Sequence, residues 1–336
     1  MDKKTAKVQN QSTKDDEIIG ALPKACYDEK AAVEFIEKQR WGGNPFCPIC
    51  GSYNVYQMMN SKNPKERQKN FRWRCREKLC KAQYTVRKGT VLEDSAIDLQ
   101  HWCYAFWRAA TSKKGVSALE IKRHTRLCYK SSLFLLHRIR YAMADTAFAP
   151  LGGKGKTVEA DETYFGTEKG KTRPGKRSGA AMPAMNKIVS LVERGTGRVR
   201  SNHVPSVTGE NLKRILQEQI DNESTVYTDA SPRYNQLKRS HGFAGYEQVA
   251  HSRGEYVRGD AHTNTIEGYF SILKRGLTGI YHNVSTAHLH RYLAEFDFRY
   301  TNRELSDGQR TALAIKQSEG KRLMYAQPRK SYEKCN

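Results

Sequence analysis

TVEADE (157–162) opens the part of the chain in which apolar and polar residues alternate, and KIVSLVER (187–194) and RVRSNHV (198–204) continue that pattern. Alternation at period two predicts strands, and Gly195 and Gly197 between the last two segments predict a hairpin turn. GENLKRILQEQI (209–220) has helical period, STVYTD (224–229) returns to strand, and a Pro-initiated helix is expected over 231–238. A strand near 247–251 and helices at about 264–275 and 286–303 complete the series. Three strands, helix, strand, helix, strand, helix describes a mixed α/β domain, expected over 154–305.

Ahead of it, LGGKGK (151–156) reads as a short linker. The whole chain has 336 residues, enough for two or three domains. With 58 Lys and Arg against 35 Asp and Glu, its formal charge is +23, which points to a polyanionic partner, most often nucleic acid. No stretch approaches the roughly 18–20 apolar residues that span a bilayer. The polar start MDKKTAKVQNQSTKDDE lacks the apolar centre of a signal peptide. The expectation is a cytoplasmic, nucleoid-associated protein without membrane contact. Residues 1–22 read as a disordered lead, 23–45 as an N-terminal helix and 306–336 as a C-terminal tail.

Eight cysteines without a secretory signal read as thiols or metal ligands. Cys47 and Cys50 form one close pair, and Cys75 and Cys80 form a second after 24 intervening residues. Zinc takes four such ligands in a tetrahedron, so 46–92 is expected to be a ribbon around structural Zn²⁺. Lys62, Lys65, Arg67, Lys69, Arg72, Arg74 and Arg76, with Phe71 and Trp73 among them, suit contact with phosphates. Residues 95–148 are helical in period. Their middle part resembles a helix-turn-helix: a helix at 116–123, a break near 125–127, and a second helix at 129–141. Tyr129, Lys130, Ser131 and Ser132 would then lie nearest the bases. A plain helical bundle would use the same apolar stripe as core.

Three acids stand at suggestive places: Asp161 in the first strand, Asp229 ending the fourth, and Glu267 in HTNTIEGYFSILKRG. Each also has an ordinary reading. Asp229 precedes Ser-Pro, a normal helix start, and Asn264 with Glu267 has the spacing of a helix cap. The loop 166–187 carries Lys169, Lys171, Arg173, Lys176 and Arg177 within nine residues and is expected to order on DNA.

Their surroundings give the acids a context. VEADETYFG, VYTDASPRYNQL and HTNTIEGYFSILKRG, followed by HLHRYLAEFDFRYTNR, resemble the core of bacterial insertion-sequence transposases of the DDE type. The similarity is to the branch with a zinc ribbon and a helical DNA-binding segment ahead of the catalytic domain, and it spans about 25–305. It implies a ribonuclease-H-like (retroviral-integrase-like) catalytic domain, whose strand and helix order is the one read above. It also implies two Mg²⁺ ions, with Mn²⁺ able to substitute, and DNA strand cleavage followed by transfer of a 3′-OH. By position Asp161 would bridge both metals, Asp229 would bind one and Glu267 the other. Asn264 is the competing third ligand. Lys274, seven residues and about 10.5 Å along the helix from Glu267, would touch DNA, with Arg275 beside it. Double-stranded DNA, as element ends and target, and a second copy of the chain are the implied partners. The rival expectation is a DNA-binding regulator whose acids are inert, and a stand-alone nuclease is the third.

Overall fold

The computed structural model describes residues 16–147, 149–168, 171–174, 181–235, 237, 242–249 and 262–324, with only the backbone described at 173–174 and 181–183. The first fifteen residues of the expected lead, and the tail beyond 324, lie outside these. Two compact units divide the chain: one comprises 16–107, 118–142 and 311–324 of the described residues, the other 108–117 and 143–310.

In the first unit the single helix expected from Pro23 is two helices, α1 (Glu17–Ala25) and α2 (Glu29–Trp41). Asp28 breaks the run because its carboxylate accepts the Ala31 N–H at 2.7 Å and so caps a new helix. Gly42 ends α2 at φ 58°, a left-handed conformation that suits glycine. Strands β1 (Val55–Gln57), β2 (Trp73–Cys75) and β3 (Gln83–Tyr84) form an antiparallel sheet in that order. This ribbon is joined to α2 through Glu37, whose carboxylate accepts both terminal nitrogens of Arg67 at 2.9 Å and the Trp73 Nε1–H at 2.7 Å. Arg67 and Trp73, expected from the sequence to form part of a phosphate-facing surface, are therefore internal.

Helices α3 (Leu99–Thr111), α4 (Ala118–Thr125) and α5 (Tyr129–Met143) follow, the last two separated by the break expected near 125–127. Trp102, Phe106, Ile121, Leu135, Leu136 and Ile139 are fully buried. The segment 311–324 belongs to this unit as well. Glu319 pairs with Arg40 at 3.1 Å, and Lys321 donates to the Ala142 carbonyl.

The second unit is built on β4 (Thr157–Phe165), with β5 (Thr172–Pro174) and β6 (Ala181–Pro183) as a separate hairpin before β7 (Asn186–Glu193) and β8 (Val199–Val204). Helix α6 (Gly209–Gln219) leads to β9 (Thr225–Asp229) and β10 (Gly245–Val249). The main sheet has the order β10-β9-β4-β7-β8, with β4, β9 and β10 parallel and β7 antiparallel to both β4 and β8. Counting only its own five strands, the order is 3-2-1-4-5.

Period-two alternation sends Val158, Ala160, Val189, Leu191 and Val226 to one face, where Leu212, Ile215 and Leu216 of α6 complete a core. The opposite face receives Ile188 and Val192. They pack on Ile266, Tyr269 and Leu273 of α7 (Asn264–Gly276) and on Leu289, Leu293 and Phe296 of α8 (Leu289–Thr301). Gly276 leaves room on α7 for Phe296 of α8, since a Cβ there would meet that ring at 2.3 Å.

Candidate active site and metal centre

The ribbon brings its four cysteines together. Cys47 and Cys80 Sγ are 3.7 Å apart, as are Cys50 and Cys75 Sγ. Zinc at about 2.3 Å from each sulfur of a tetrahedron requires sulfurs about 3.8 Å apart, so the donor set fits that ion. Among the described residues, these four form the group of histidine, cysteine or acidic side chains whose ligand atoms all converge within 4.8 Å. Of the other cysteines, Cys26 and Cys103 are buried, and Cys128 is exposed at the start of α5, where its sulfur accepts the Ser131 N–H at 3.4 Å.

The sheet brings two of the three acids onto neighbouring strands, while the three carboxylates do not gather as tightly as the cysteines do. Ala160 of β4 pairs with Thr228 of the parallel strand β9, so Asp161 and Asp229 follow side by side on neighbouring strands. Strand alternation places both on the face covered by α7. Glu162, one residue on, faces the other way and accepts from Arg233 at 2.5 Å and from the Tyr234 hydroxyl at 2.8 Å. Burial drives the Asp161 carboxyl up to about 7, and the charges of Glu162, Asp229 and Glu267 push in the same direction. The Glu162 N–H, donating at 2.7 Å, opposes that rise.

Helix α7 starts one residue earlier than a cap at Asn264 would require. Thr263 is the N-cap and Asn264 the first helical residue, so Glu267 falls in the first turn without forming the expected capping pair. Both Asn264 and Glu267 are exposed. The Ile266 N–H, usually satisfied by the N-cap side chain, donates instead to Glu159 of β4 at 2.9 Å. Glu159 is completely buried and also accepts from Arg194 Nε at 2.5 Å. Sequence patterning did not single out Glu159 and Arg194. The available signal was a carboxylate two residues before Asp161, hence on the same inward face of the strand.

The basic candidates are distributed unevenly. Lys274 and Arg275 are exposed on α7, with Arg275 held by Ser271 of the preceding turn. Lys171 is exposed and paired with Glu168, while Lys169, Lys176, Arg177 and the Arg173 side chain lie outside the described residues. In the ribbon Arg72 is exposed and Arg74 half-buried. At the start of α5, Tyr129 and Lys130 are exposed and Ser131 is half-buried. Ser132 is fully buried, with its hydroxyl on the Cys128 carbonyl, and cannot read bases.

Two known domains match this chain. Residues 150–301 match the ISXO2-like transposase domain, and residues 27–83 match the transposase zinc-ribbon domain. The chain belongs to the insertion-sequence transposases that carry a zinc ribbon ahead of this domain. A relative from Halobacterium salinarum (strain ATCC 700922 / JCM 11081 / NRC-1), described as an uncharacterized protein in transposable element ISH50, is 29% identical over 297 residues. The alignment covers 82% of this chain and 92% of that one. Among solved structures, a chain from the cryoEM structure of the simian T-cell lymphotropic virus intasome in complex with PP2A regulatory subunit B56 gamma aligns at 14% identity with a TM-score of 0.29. That alignment spans 53% of this chain and 63% of that one, too slight a likeness to bear on the fold. No described helix is long and apolar enough to cross a membrane.

Proposed function

We propose that this transposase cuts and rejoins DNA at Asp161, Asp229 and Glu267, on a ribonuclease-H-like sheet. The observation that carries the reading is the placement of Asp161 and Asp229 at adjacent positions on parallel strands, with Glu267 close enough for its charge to act on Asp161. The 3-2-1-4-5 strand order, with the second strand antiparallel, supports the fold assignment.

Carboxylate oxygens are the donors that hard divalent cations prefer, and the mutual repulsion of these acids is what such cations relieve. Asp161 would hold both ions of a Mg²⁺ pair, Asp229 one and Glu267 the other. When bound, the pair supplies activation of the attacking oxygen and charge stabilisation of the leaving one. The chain's own groups position the DNA. Lys274, two turns along α7 from Glu267, meets a phosphate beside the scissile bond. The ribbon and α5 hold the element end through Arg72, Arg74, Tyr129, Lys130 and Ser131, and the basic residues between β4 and β7 meet the duplex. Water attacks phosphorus and the bond to the 3′ oxygen breaks. The freed 3′-OH then attacks a target phosphodiester, with release of a target 3′-OH. Two ends call for two copies of the chain. The ribbon's cysteines hold structural Zn²⁺.

The test incubates wild type, Glu267→Gln and Asn264→Ala with Mg²⁺, DNA carrying the element's own ends, and a target plasmid. Wild type is expected to nick and join. Glu267→Gln should bind the ends yet do neither, a loss of about a thousandfold or more. Full activity in Glu267→Gln with loss in Asn264→Ala would move the third ligand to Asn264. Specific binding without cutting in wild type would favour the regulator.

A further inference from the structure

We infer that Glu159 and Arg194 form a positioning floor beneath the three acids, with Glu159 serving as the N-terminal cap of α7 supplied from another element. The inference rests on the reading of Asp161, Asp229 and Glu267 as the reacting site. The pair reaches the element carrying each acid, one or two residues below it. Glu159 is two residues before Asp161 on the same face of β4. Its strand partner on β9 is Tyr227, two residues before Asp229, and the Arg194 guanidinium lies over that ring at 4.7 Å from its centroid. On α7, Glu159 accepts the N–H of Ile266, the residue before Glu267, while Arg194 donates to the His262 carbonyl just ahead of the helix.

The chemistry explains why these residue types stand here. Thr263, the N-cap, makes no side-chain cap bond, so an outside acceptor is needed at the third helical N–H. A carboxylate can accept that N–H and the Arg194 Nε–H together, and Glu159 does so with no exposed surface. Burying it is tolerable because Arg194 balances its charge. His262 Nδ1 lies 3.6 Å from the same carboxylate. The helix start therefore has one register. A slip of one residue would turn Glu267 by about 100° around the α7 axis and take it off the site. A misplacement of about 1 Å at a reacting centre can already cost about a hundredfold in rate.

The experiment compares full-length wild type, Glu159→Leu and Glu159→Gln by hydrogen exchange over 262–268, thermal midpoint, end-binding Kd and strand cleavage in Mg²⁺. Glu159→Leu is expected to speed exchange in that segment about tenfold or more and cut cleavage about a hundredfold. Glu159→Gln keeps one acceptor, so it should show a smaller loss of both, about tenfold in cleavage, with Kd unchanged and the midpoint lowered because Arg194 loses its counter-charge. If Glu159→Leu unfolds the unit, Glu159→Gln alone decides between the two outcomes. Wild-type exchange over 262–268 together with wild-type cleavage in Glu159→Gln overturns the inference. If wild type itself does not cut, the reading of the site fails, and the exchange data alone decide whether Glu159 caps α7.

Discussion

The two clusters of potential ligands in this protein are assembled in opposite ways. Cys47, Cys50, Cys75 and Cys80 come from two short stretches of one small ribbon, and their sulfurs gather within 4.8 Å, two pairs of them at 3.7 Å. Asp161, Asp229 and Glu267 come from two strands and a helix far apart in the chain; β9 pairing beside β4 sets the first two on neighbouring strands, and Glu267 acts on Asp161 from the start of α7. The ribbon's strands are only two or three residues long, so its order depends on the ligands. The acid site is the reverse: a full core on each face of the sheet holds groups that repel one another. A ligand set close in sequence helps to make its fold, whereas a dispersed one is imposed by a fold that is stable without it.

Zinc removal gives the sharpest contrast. Chelation, or Cys47→Ser with Cys50→Ser, is expected to unfold the ribbon, since zinc binding contributes about 10–16 kcal/mol in comparable small sites. Hydrogen exchange over 47–84 should rise sharply while the segment 262–268 keeps its protection; equal losses in both would break the contrast.

Glu37→Leu should come next. It leaves Arg67, whose side chain is 9% exposed, without its carboxylate, and breaking such a buried pair costs about 3–5 kcal/mol. Tryptophan fluorescence during urea unfolding would register it through Trp73 and Trp41, whose rings lie 5.4 Å apart.

In the second unit, Asp297 is half-buried and accepts from the Tyr269 hydroxyl of α7 at 2.6 Å and from Ser201. Burial lifts its carboxyl from 3.8 to about 6. An acid raised on folding contributes stability that is fully present below its unfolded value and lost as pH rises through the folded one. Between about pH 4 and 7 the wild type should lose on the order of 3 kcal/mol through this group, and Asp297→Asn should not. Urea midpoints at the two pH values, taken for both proteins, measure the difference.

The smallest effect is expected at α5. Lys130→Ala removes one exposed cation, so end binding should weaken a few-fold and the salt dependence of log K should fall by about one. An unchanged slope would remove Lys130 from the DNA-binding surface.

Much of this was legible from residues alone. Strand alternation from TVEADE onward, the glycine turn between β7 and β8, and the two cysteine pairs all express chemistry within a few residues, and the elements formed where those signals stood. The break at Asp28 is hidden in the pattern because a single capping carboxylate outweighs a continuous apolar stripe. Arg67 and Trp73 look like surface residues for a related reason. Their partner, Glu37, lies thirty residues away or more, and spacing carries no record of it.

The chain by itself therefore determined its elements, its zinc-ligand spacing and its cationic character, because each depends on neighbours in sequence or on a simple sum of charges. Only the tertiary structure decided which acids share a face, that Thr263 rather than Asn264 opens α7, and that Glu159 and Arg194 lie beneath Asp161. Those outcomes depend on which strand pairs with which and on which buried donor needs an acceptor. Both are settled when the sheet and its covering helices pack together.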